Sequence, residues 1–199
     1  MGATALDRVG THHGAMSATS VSGVVGSAFH FNLLTSIDVP YATALVPSAG
    51  FTLELWLRRD GPQSTYARIA GMQVDGVANS TWVFGISAAQ GVYFGLFKGG
   101  QQAYIDGAQP IPDQTWTHVA ATWDGVVLRA YLNGAIQPDV AAITGPLTDP
   151  GLPLRIGRGT SASGFAFSGD LDELTLFNRA LTQQEISAIV TAGPLGKCK

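Results

Sequence analysis

The most regular pattern in the chain is the alternation of apolar and polar residues that follows Pro47. Residues 51 to 60 read FTLELWLRRD. With a period of two, the side chains divide between two faces of a strand: Phe51, Leu53, Leu55 and Leu57 on one, Thr52, Glu54, Trp56 and Arg58 on the other. The pattern predicts an antiparallel strand with one face in the core and the other solvated or lightly covered.

A second pattern, WTHVAATWDGVVLRAYLNG at residues 116 to 134, predicts tight turns. Asp124-Gly125 and Asn133-Gly134 each follow a run rich in β-branched, aromatic and small residues, which is the strongest short-range signal for a β-hairpin. We therefore expect a three-stranded meander that ends with a strand over 135–140. His118 falls mid-strand with no Asp, Glu or Cys near it in sequence, which favours a structural histidine over one that contacts a ligand.

The remaining apolar runs are short, evenly spaced and separated by Gly, Asp, Asn or Gln. They predict strands over 28–32, 36–39, 67–73, 81–87, 91–97, 102–106, 153–157 and 170–178. One helix is predicted over 182–192, because Thr182 and Glu185 form a capping box and Gly193-Pro194 ends the apolar stripe. Residues 1–27 are predicted to be loop-rich. The fold class is all-β, an antiparallel β-sandwich or jelly roll, in a single domain over 1–199.

Composition and charge narrow the function classes. Only 13% of the 199 residues are charged and 25 are glycines, as in a turn-rich β chain. The net charge of -3, without a basic cluster, argues against nucleic acid and anionic membranes as partners. No apolar run reaches the length of a membrane span, and MGATALDRVG reads as an added start to a module of a longer protein. Cys198 is the single cysteine, which excludes an internal disulfide.

The order of these motifs carries a resemblance. GVVGSAFHFN with SIDVPYATAL, FTLELWLR, TWTHVAATWDGVVLRAYLNG, PLRIG and GDLDELTLFNRALTQQEISAIVTAG follow one another along the chain. From about Asp7 to Lys199 the sequence resembles the LamG-like jellyroll domains of the concanavalin A-like lectin and glucanase superfamily. The resemblance implies two curved antiparallel sheets in an accessory module of secreted or cell-surface proteins, mostly bacterial, whose relatives bind carbohydrate or protein.

Catalytic motifs are missing from the sequence. Retaining glucanases of this superfamily carry Glu-x-Asp-x-x-Glu on one strand, whereas the three glutamates of this chain, Glu54, Glu173 and Glu185, stand in other contexts. GTSASG at 159–164 lacks the glycine spacing of a nucleophile elbow, and neither a His-Glu-x-x-His nor a phosphate-binding loop occurs. We therefore expect no enzyme activity.

The resemblance also implies a structural calcium ion held by an aspartate of the last strand, which corresponds to Asp172. Residues 7–14 would form the matching loop, and Asp7 or Gly10 would contribute to it. The alternative is that Asp172 accepts a hydrogen bond from a neighbouring loop or pairs with an arginine.

Aromatic rings beside polar side chains mark the candidate ligand site, because sugar C–H groups stack on such rings. Trp82 follows the loop VDGVANS and opens a strand, so an exposed ring is predicted there, with burial as the alternative. The predicted ligand-binding residues are Asp75, Asn79, Trp82, Tyr93, Tyr104 and Asp106, with Tyr66 and Arg68 as a weaker second patch. Trp56, Trp116 and Trp123 lie within recurring strand motifs and are predicted to be core.

The sequence therefore predicts a non-catalytic extracellular recognition module of a larger multidomain protein. Glycan is the first expected partner, with calcium as a structural cofactor, and the neighbouring domains of the parent chain would be covalently linked. The alternative is a protein-binding adhesion module or a spacer of the same fold, which would bury Trp82 and Tyr93 and have no cleft.

Overall fold

The computed structural model describes residues 3–75, 80–160 and 165–197. Its strands are β1 Ala3–Ala5, β2 Gly14–Met16, β3 Thr19–Ser22, β4 Ser27–Asn32, β5 Ile37–Val39, β6 Phe51–Arg59, β7 Arg68–Met72, β8 Trp82–Ile86, β9 Val92–Lys98, β10 Gln101–Asp106, β11 Thr117–Trp123, β12 Val127–Leu132, β13 Ala135–Ala142, β14 Leu154–Ile156 and β15 Ser168–Phe177. The helix α1 spans Gln183–Ala192, and short 3-10 turns lie at Thr43–Leu45 and Gly193–Leu195.

These strands form two antiparallel sheets. The eight-stranded sheet has the order β1-β2-β5-β14-β7-β8-β9-β10, and the seven-stranded sheet has the order β13-β12-β11-β6-β15-β4-β3. The predicted all-β sandwich is confirmed. Consecutive strands β7 to β10 and β11 to β13 pair as meanders, whereas other neighbours come from distant parts of the sequence, with β6 between β11 and β15 at the centre of the seven-stranded sheet.

The core lies between the two sheets. Leu53, Leu55 and Leu57 of β6 are fully buried there, as the alternation predicts. The largest fully buried side chains are Trp82, Trp123, Phe31, Phe84, Phe94 and Phe167. Burial of apolar surface of this kind contributes about 25 cal/mol per Å² to folding. The two sheets are thus held together by aromatic and leucine side chains from both.

The structure adds strands to one region that the sequence predicts as loop-rich, and it corrects a second expectation. Residues 1–27 contain β1, β2 and β3, which pair at the margins of the two sheets. Their three- or four-residue length and their Ala, Thr, Ser and Gly content leave no hydrophobic alternation to read. The second face of β6 is also covered, since Thr52 and Glu54 are fully buried.

The helix and the residues after it provide that cover. Thr182 and Glu185 form the predicted capping box at the start of α1. Ile186 is fully buried against Ala120, Tyr131 and Leu181, on the outer face of the seven-stranded sheet. The amphipathic helix thus covers the outer face of β6, which would otherwise be exposed to solvent, and forms a second, smaller core there.

The edge strands are β1 and β10 in the eight-stranded sheet and β13 and β3 in the seven-stranded sheet. The pairing of β13 with β12 is irregular between Arg129 and Tyr131. Pro138 lies in the middle of β13 and has no backbone N–H to offer. Among residues 3–75, 80–160 and 165–197, no helix is both long enough and apolar enough to span a membrane.

Candidate functional site

Three tyrosine rings lie side by side on the outer face of the eight-stranded sheet, and we call Tyr66, Tyr93 and Tyr104 the tyrosine patch. The ring centroids of Tyr66 and Tyr93 are 4.9 Å apart, and those of Tyr93 and Tyr104 are 6.2 Å apart. Tyr104 is 51% exposed, while Tyr66 and Tyr93 are half-buried. The patch is therefore an aromatic surface that a ligand can reach.

Strand alternation turns these rings outward. Phe94 and Leu96 of β9 point into the core, so Tyr93 faces the other way, and Ile105 of β10 sets Tyr104 outward in the same manner. Tyr104 pairs with Gly95. A Cβ at Gly95 would lie 3.6 Å from the Tyr93 hydroxyl oxygen, so the missing side chain leaves space between the two rings.

Tyr66 precedes β7 and has a left-handed backbone, with φ of 60°. Such a conformation costs on the order of 1–3 kcal/mol for a bulky residue and persists only where surrounding contacts impose it. The contacts are the Tyr93 ring and Asp106, whose Oδ2 accepts a hydrogen bond of 2.9 Å from the Tyr66 hydroxyl. This bond raises the pKa of Tyr66 above its ordinary value of 10.0, because Asp106 stabilises the neutral phenol.

Arg68 lies beneath the patch. Its guanidinium carbon is 5.3 Å from the centroid of the Tyr93 ring and 4.6 Å from that of Phe165. Its Nε lies 3.6 Å from Asp75 Oδ1, and burial lowers the pKa of Arg68. Burial also raises the pKa of Tyr93, an effect that the nearby Arg68 charge opposes. The patch thus rests on a cation held between two rings.

A cleft of about 570 Å³ opens beside the patch, where β10 approaches the end of β13. Its walls are Gln101, Gln102, Ala142, Ile143 and Thr144. Gln102 precedes Tyr104 by two residues, so both side chains stand on the outer face of β10. The amide of Gln102 could therefore contact a ligand that extends along β10 from the rings.

The structure brings together the two candidate patches that the sequence predicts as separate. Tyr66 and Arg68 contact Tyr93 directly, and Asp106 closes the group through Tyr66. Phe165 also belongs to this group and was not predicted, because no feature of the sequence around it indicates that it covers an arginine 97 positions earlier in the chain.

The prediction that Trp82 offers an exposed ring is wrong. Trp82 is fully buried, its indole N–H donates to the Leu45 carbonyl at 3.3 Å, and its ring lies 5.5 Å from that of Phe51. Trp82, Phe84 and Ile86 alternate toward the core, so the first residue of β8 is as interior as the rest. Trp82 contributes to stability and cannot stack on a sugar.

The other two predicted ligand-binding residues are Asp75 and Asn79. The Asp75 carboxylate is almost fully buried, where it faces Arg68 and accepts a hydrogen bond of 3.0 Å from the Gln73 amide. Asp75 also receives a hydrogen bond from Thr160, so it fixes the loops beside the patch and does not point to solvent. Asn79 lies outside the described residues.

The other three tryptophans differ in how deeply they are buried. Trp123 is buried as predicted. Trp56 and Trp116 are only half-buried on the outer face of the seven-stranded sheet, which corrects the prediction that they are core. Trp56 meets the edge of the His118 ring at 5.3 Å, and Arg58 lies over the Trp116 ring at 5.3 Å.

Asp172 is buried against the turn between β3 and β4. Its Oδ2 accepts a hydrogen bond of 2.8 Å from the Val25 N–H, and a Cβ at Gly23 would lie 2.4 Å from the same oxygen. Burial raises the pKa of Asp172, which the Val25 hydrogen bond only partly offsets. Asp172 thus accepts a hydrogen bond from a neighbouring loop, as in the alternative to calcium, and that loop is the turn at residues 23–26.

A calcium ion fits these residues poorly. Calcium takes six to eight oxygen ligands, whereas the Asp172 carboxylate is directed at backbone N–H donors. Asp7 is likewise committed, because its carboxylate accepts hydrogen bonds from Val9, Gly10 and His12 of its own loop, and these lower its pKa. In the part of the chain that the structure describes, no group of three His, Cys, Asp or Glu residues could hold a metal. Calcium stays a prediction that these contacts do not favour.

The two-sheet architecture and the sequence agree on the class of protein. The family profile described as "Concanavalin A-like lectin/glucanases superfamily", of laminin G type, matches residues 35–187, and the chain belongs to this family. Among curated proteins it is similar to pappalysin-1 of Mus musculus, with 32% identity over 157 residues, and of Homo sapiens, with 30% identity. These matches cover 71% of this chain and 10% of each relative, so the chain spans about a tenth of their length.

Several solved structures share the fold. Domain 4 of an extracellular arabinanase from Geobacillus stearothermophilus, in complex with arabinotriose, has a TM-score of 0.66 at 20% identity and covers 86% of this chain and 80% of that one. A candidate carbohydrate-binding protein from Bacteroides ovatus has a TM-score of 0.65 at 22% identity, with 86% and 47% coverage. The binding domain of Paraclostridial Mosquitocidal Protein 1 reaches 0.70 at 18% identity, with 88% and 45% coverage.

Proposed function

We propose that this chain is a carbohydrate-binding module and that the tyrosine patch is its contact surface. The observation that carries the proposal is the alignment of three tyrosine rings, one of them 51% exposed, on the outer face of an ordered sheet. Aromatic faces attract sugar C–H groups, and the phenol hydroxyls hydrogen-bond to the sugar hydroxyls.

The polar groups beside the rings suit a neutral glycan. Asp106 is exposed, so its carboxylate can accept hydrogen bonds from sugar hydroxyls as well as from Tyr66. Arg68 is largely buried and already faces Asp75, so its charge is locally compensated. With two aspartates and one arginine around the rings, sulfated or uronic acid chains would meet net repulsion.

The named functions of similar structures add support. The arabinanase domain was solved with arabinotriose, and the Bacteroides ovatus protein is described by carbohydrate binding. We further propose a non-catalytic, extracellular role within a longer protein. The glutamates support the non-catalytic role. Glu54 is buried beside His118 and Lys197, and Glu185 forms the helix cap with Arg179 as its partner.

The experiment is a glycan array followed by calorimetric titration of the best neutral oligosaccharide, with arabinotriose included. We expect Tyr104→Ala to weaken binding roughly tenfold, about the 1.4 kcal/mol of one good ring contact. Tyr41→Ala is the matched control. Tyr41 is also exposed, and its hydroxyl donates to Asp149 at 2.8 Å as Tyr66 donates to Asp106, but it lies outside the patch.

The result that would overturn the proposal is equal affinity of Tyr104→Ala and Tyr41→Ala, or silence across the array. Silence together with a protein ligand that requires Tyr104 would assign the patch to protein recognition, since Tyr and Arg are also enriched at protein interfaces.

A further inference from the structure

A largely buried ammonium, that of Lys197, lies outside the tyrosine patch. Its Nζ lies 2.5 Å from Glu54 Oε1, 2.6 Å from the Glu173 carbonyl oxygen and 2.7 Å from Thr175 Oγ1. The side chain is 13% exposed, and a fourth oxygen, Glu173 Oε2, is 3.7 Å away. A lysine ammonium has three N–H donors, and here each has an oxygen in range.

The strand β15 is bent to supply two of these oxygens. The pairing of β15 with β6 is irregular between Asp172 and Thr175, and Glu173 within this bulge has φ of 52°. A non-glycine residue adopts this conformation only where other contacts impose it. The bulge presents both the Glu173 carbonyl and the Thr175 hydroxyl to one point, and Thr175 pairs with Glu54 across the sheet.

Glu54 makes a cation necessary at this point. Glu54 is fully buried, and its second oxygen, Oε2, is 3.0 Å from Nε2 of the equally buried His118. A buried carboxylate that loses its cation becomes strongly destabilising. The Lys197 ammonium is the cation placed directly on this carboxylate.

The chain delivers this ammonium with a short segment after α1. The 3-10 turn Gly193–Leu195 leads to Gly196, which has φ of 73° and packs against Val25. Val25 is itself held by Asp172. The Lys197 side chain packs tightly among Val25, Trp56, Ile189, the glycines 193 and 196, and Glu173, with no room left for a water molecule.

We propose that this oxygen cage is a binding site for a primary ammonium, which Lys197 fills from within the same molecule. The site selects an ammonium over a metal, because three short oxygen contacts match three N–H donors and fall short of the six to eight that calcium takes. The Lys197 ammonium thus serves as the cation of this site and holds the segment after α1 against the seven-stranded sheet.

The test is chemical rescue. Lys197→Ala should lower the melting temperature by on the order of 5–10 °C, the shift that a broken buried ion pair causes in a domain of this size. Ethylammonium should recover at least half of that loss, because it can reach the vacated cage. Tetramethylammonium, which has no N–H donor, and calcium should recover none.

Two controls keep the result specific. Lys98→Ala removes an ammonium that donates to the Thr144 carbonyl at an exposed site, and neither its melting temperature nor that of the wild type should respond to ethylammonium. The double variant Glu54→Gln with Lys197→Ala should also show no rescue, since the cage has lost its charge.

A measurement on the intact protein covers the case in which Lys197→Ala does not fold. In a lysine-selective NMR spectrum of the wild type, one ammonium should exchange its protons slowly, and Lys197→Arg should remove that signal. The proposal is overturned if no slowly exchanging ammonium is seen, if Lys197→Ala melts like the wild type, or if tetramethylammonium rescues it equally.

Discussion

The hydroxyl of Tyr66 donates to Asp106 Oδ2 at 2.9 Å, and this bond joins the loop before β7 to the last residue of the edge strand β10. The two residues are 40 positions apart, and the strands β7 and β10 next to which they lie are separated by β8 and β9. The bond therefore holds the outermost strand and the tyrosine patch in one arrangement, at the cost of a left-handed backbone at Tyr66.

The Tyr66 phenol should report on this bond. Because Asp106 stabilises the neutral phenol, the pKa of Tyr66 in the folded state is raised. The stability that the Tyr66–Asp106 bond contributes is therefore full below about pH 10 and is lost as pH rises through the folded-state pKa. Asp106→Ala should lower the pKa of Tyr66, as followed by phenolate absorbance, with Tyr66→Phe to assign the transition. Asp149→Ala should lower the pKa of Tyr41 and leave Tyr66 unchanged. No change in the Tyr66 transition would show that the bond is absent in solution.

Trp82 should behave as a core residue. Trp82→Ala should cost about 3–5 kcal/mol of unfolding free energy, measured by chemical denaturation, because it leaves a large cavity between the sheets. Trp82→Phe should keep glycan affinity and should raise the fraction of tryptophan fluorescence that acrylamide quenches. Trp116→Phe should lower that fraction, since Trp116 is partly exposed. Loss of glycan binding in Trp82→Phe with unchanged stability would contradict the buried position.

The cap of α1 should be worth about 1 kcal/mol. Thr182→Ala removes the side chain that accepts from the Glu185 N–H and should lower the unfolding free energy by that amount. Thr191→Ala is the matched control, because the Thr191 hydroxyl donates to the Ser187 carbonyl within the helix and does not cap it. Similar costs for the two variants in urea denaturation would rule out a capping contribution.

Glu185 adds a pH dependence to the same cap. Its pKa is lowered to about 2, chiefly by Arg179, so its contribution to stability is present above the unfolded value of 4.5 and is lost as pH falls toward 2.

The contribution of Asp172 to stability depends on pH in the opposite direction. Its pKa is raised by burial, so its contribution is full below 3.8 and is lost as pH rises through the folded value. Relative to the wild type, Asp172→Asn should therefore be more favourable at about pH 7 than at about pH 4, in denaturation series at both pH values. Equal relative stability at both would show that Asp172 titrates normally.

The strands were largely predictable from the sequence. The alternation of β6 and the Asp-Gly and Asn-Gly turns depend on neighbours within ten residues, and both sets of strands form as predicted. The helix cap is local in the same sense. Resemblance in motif order then indicated the family, which residues 35–187 confirm.

The site was less predictable because it depends on contacts across the sheet. Alternation within β8 and β9 puts Trp82 on the face of Phe84 and Tyr93 on the face opposite Phe94, but the aromatic cluster also needs Tyr66 and Arg68 from another part of the chain. The partners of Glu54 are His118 and Lys197, which are 64 and 143 positions away. No local pattern brings such residues together.

Pro138 in the edge strand β13 has a consequence for how copies of the molecule coexist. A strand from another chain that tried to extend the seven-stranded sheet would find no N–H at Pro138 and a distorted ladder beside it, although Ile136 and Val140 offer exposed apolar surface. Polymerisation through this edge is therefore blocked. Copies of the molecule at high local concentration can stay separate units at this edge.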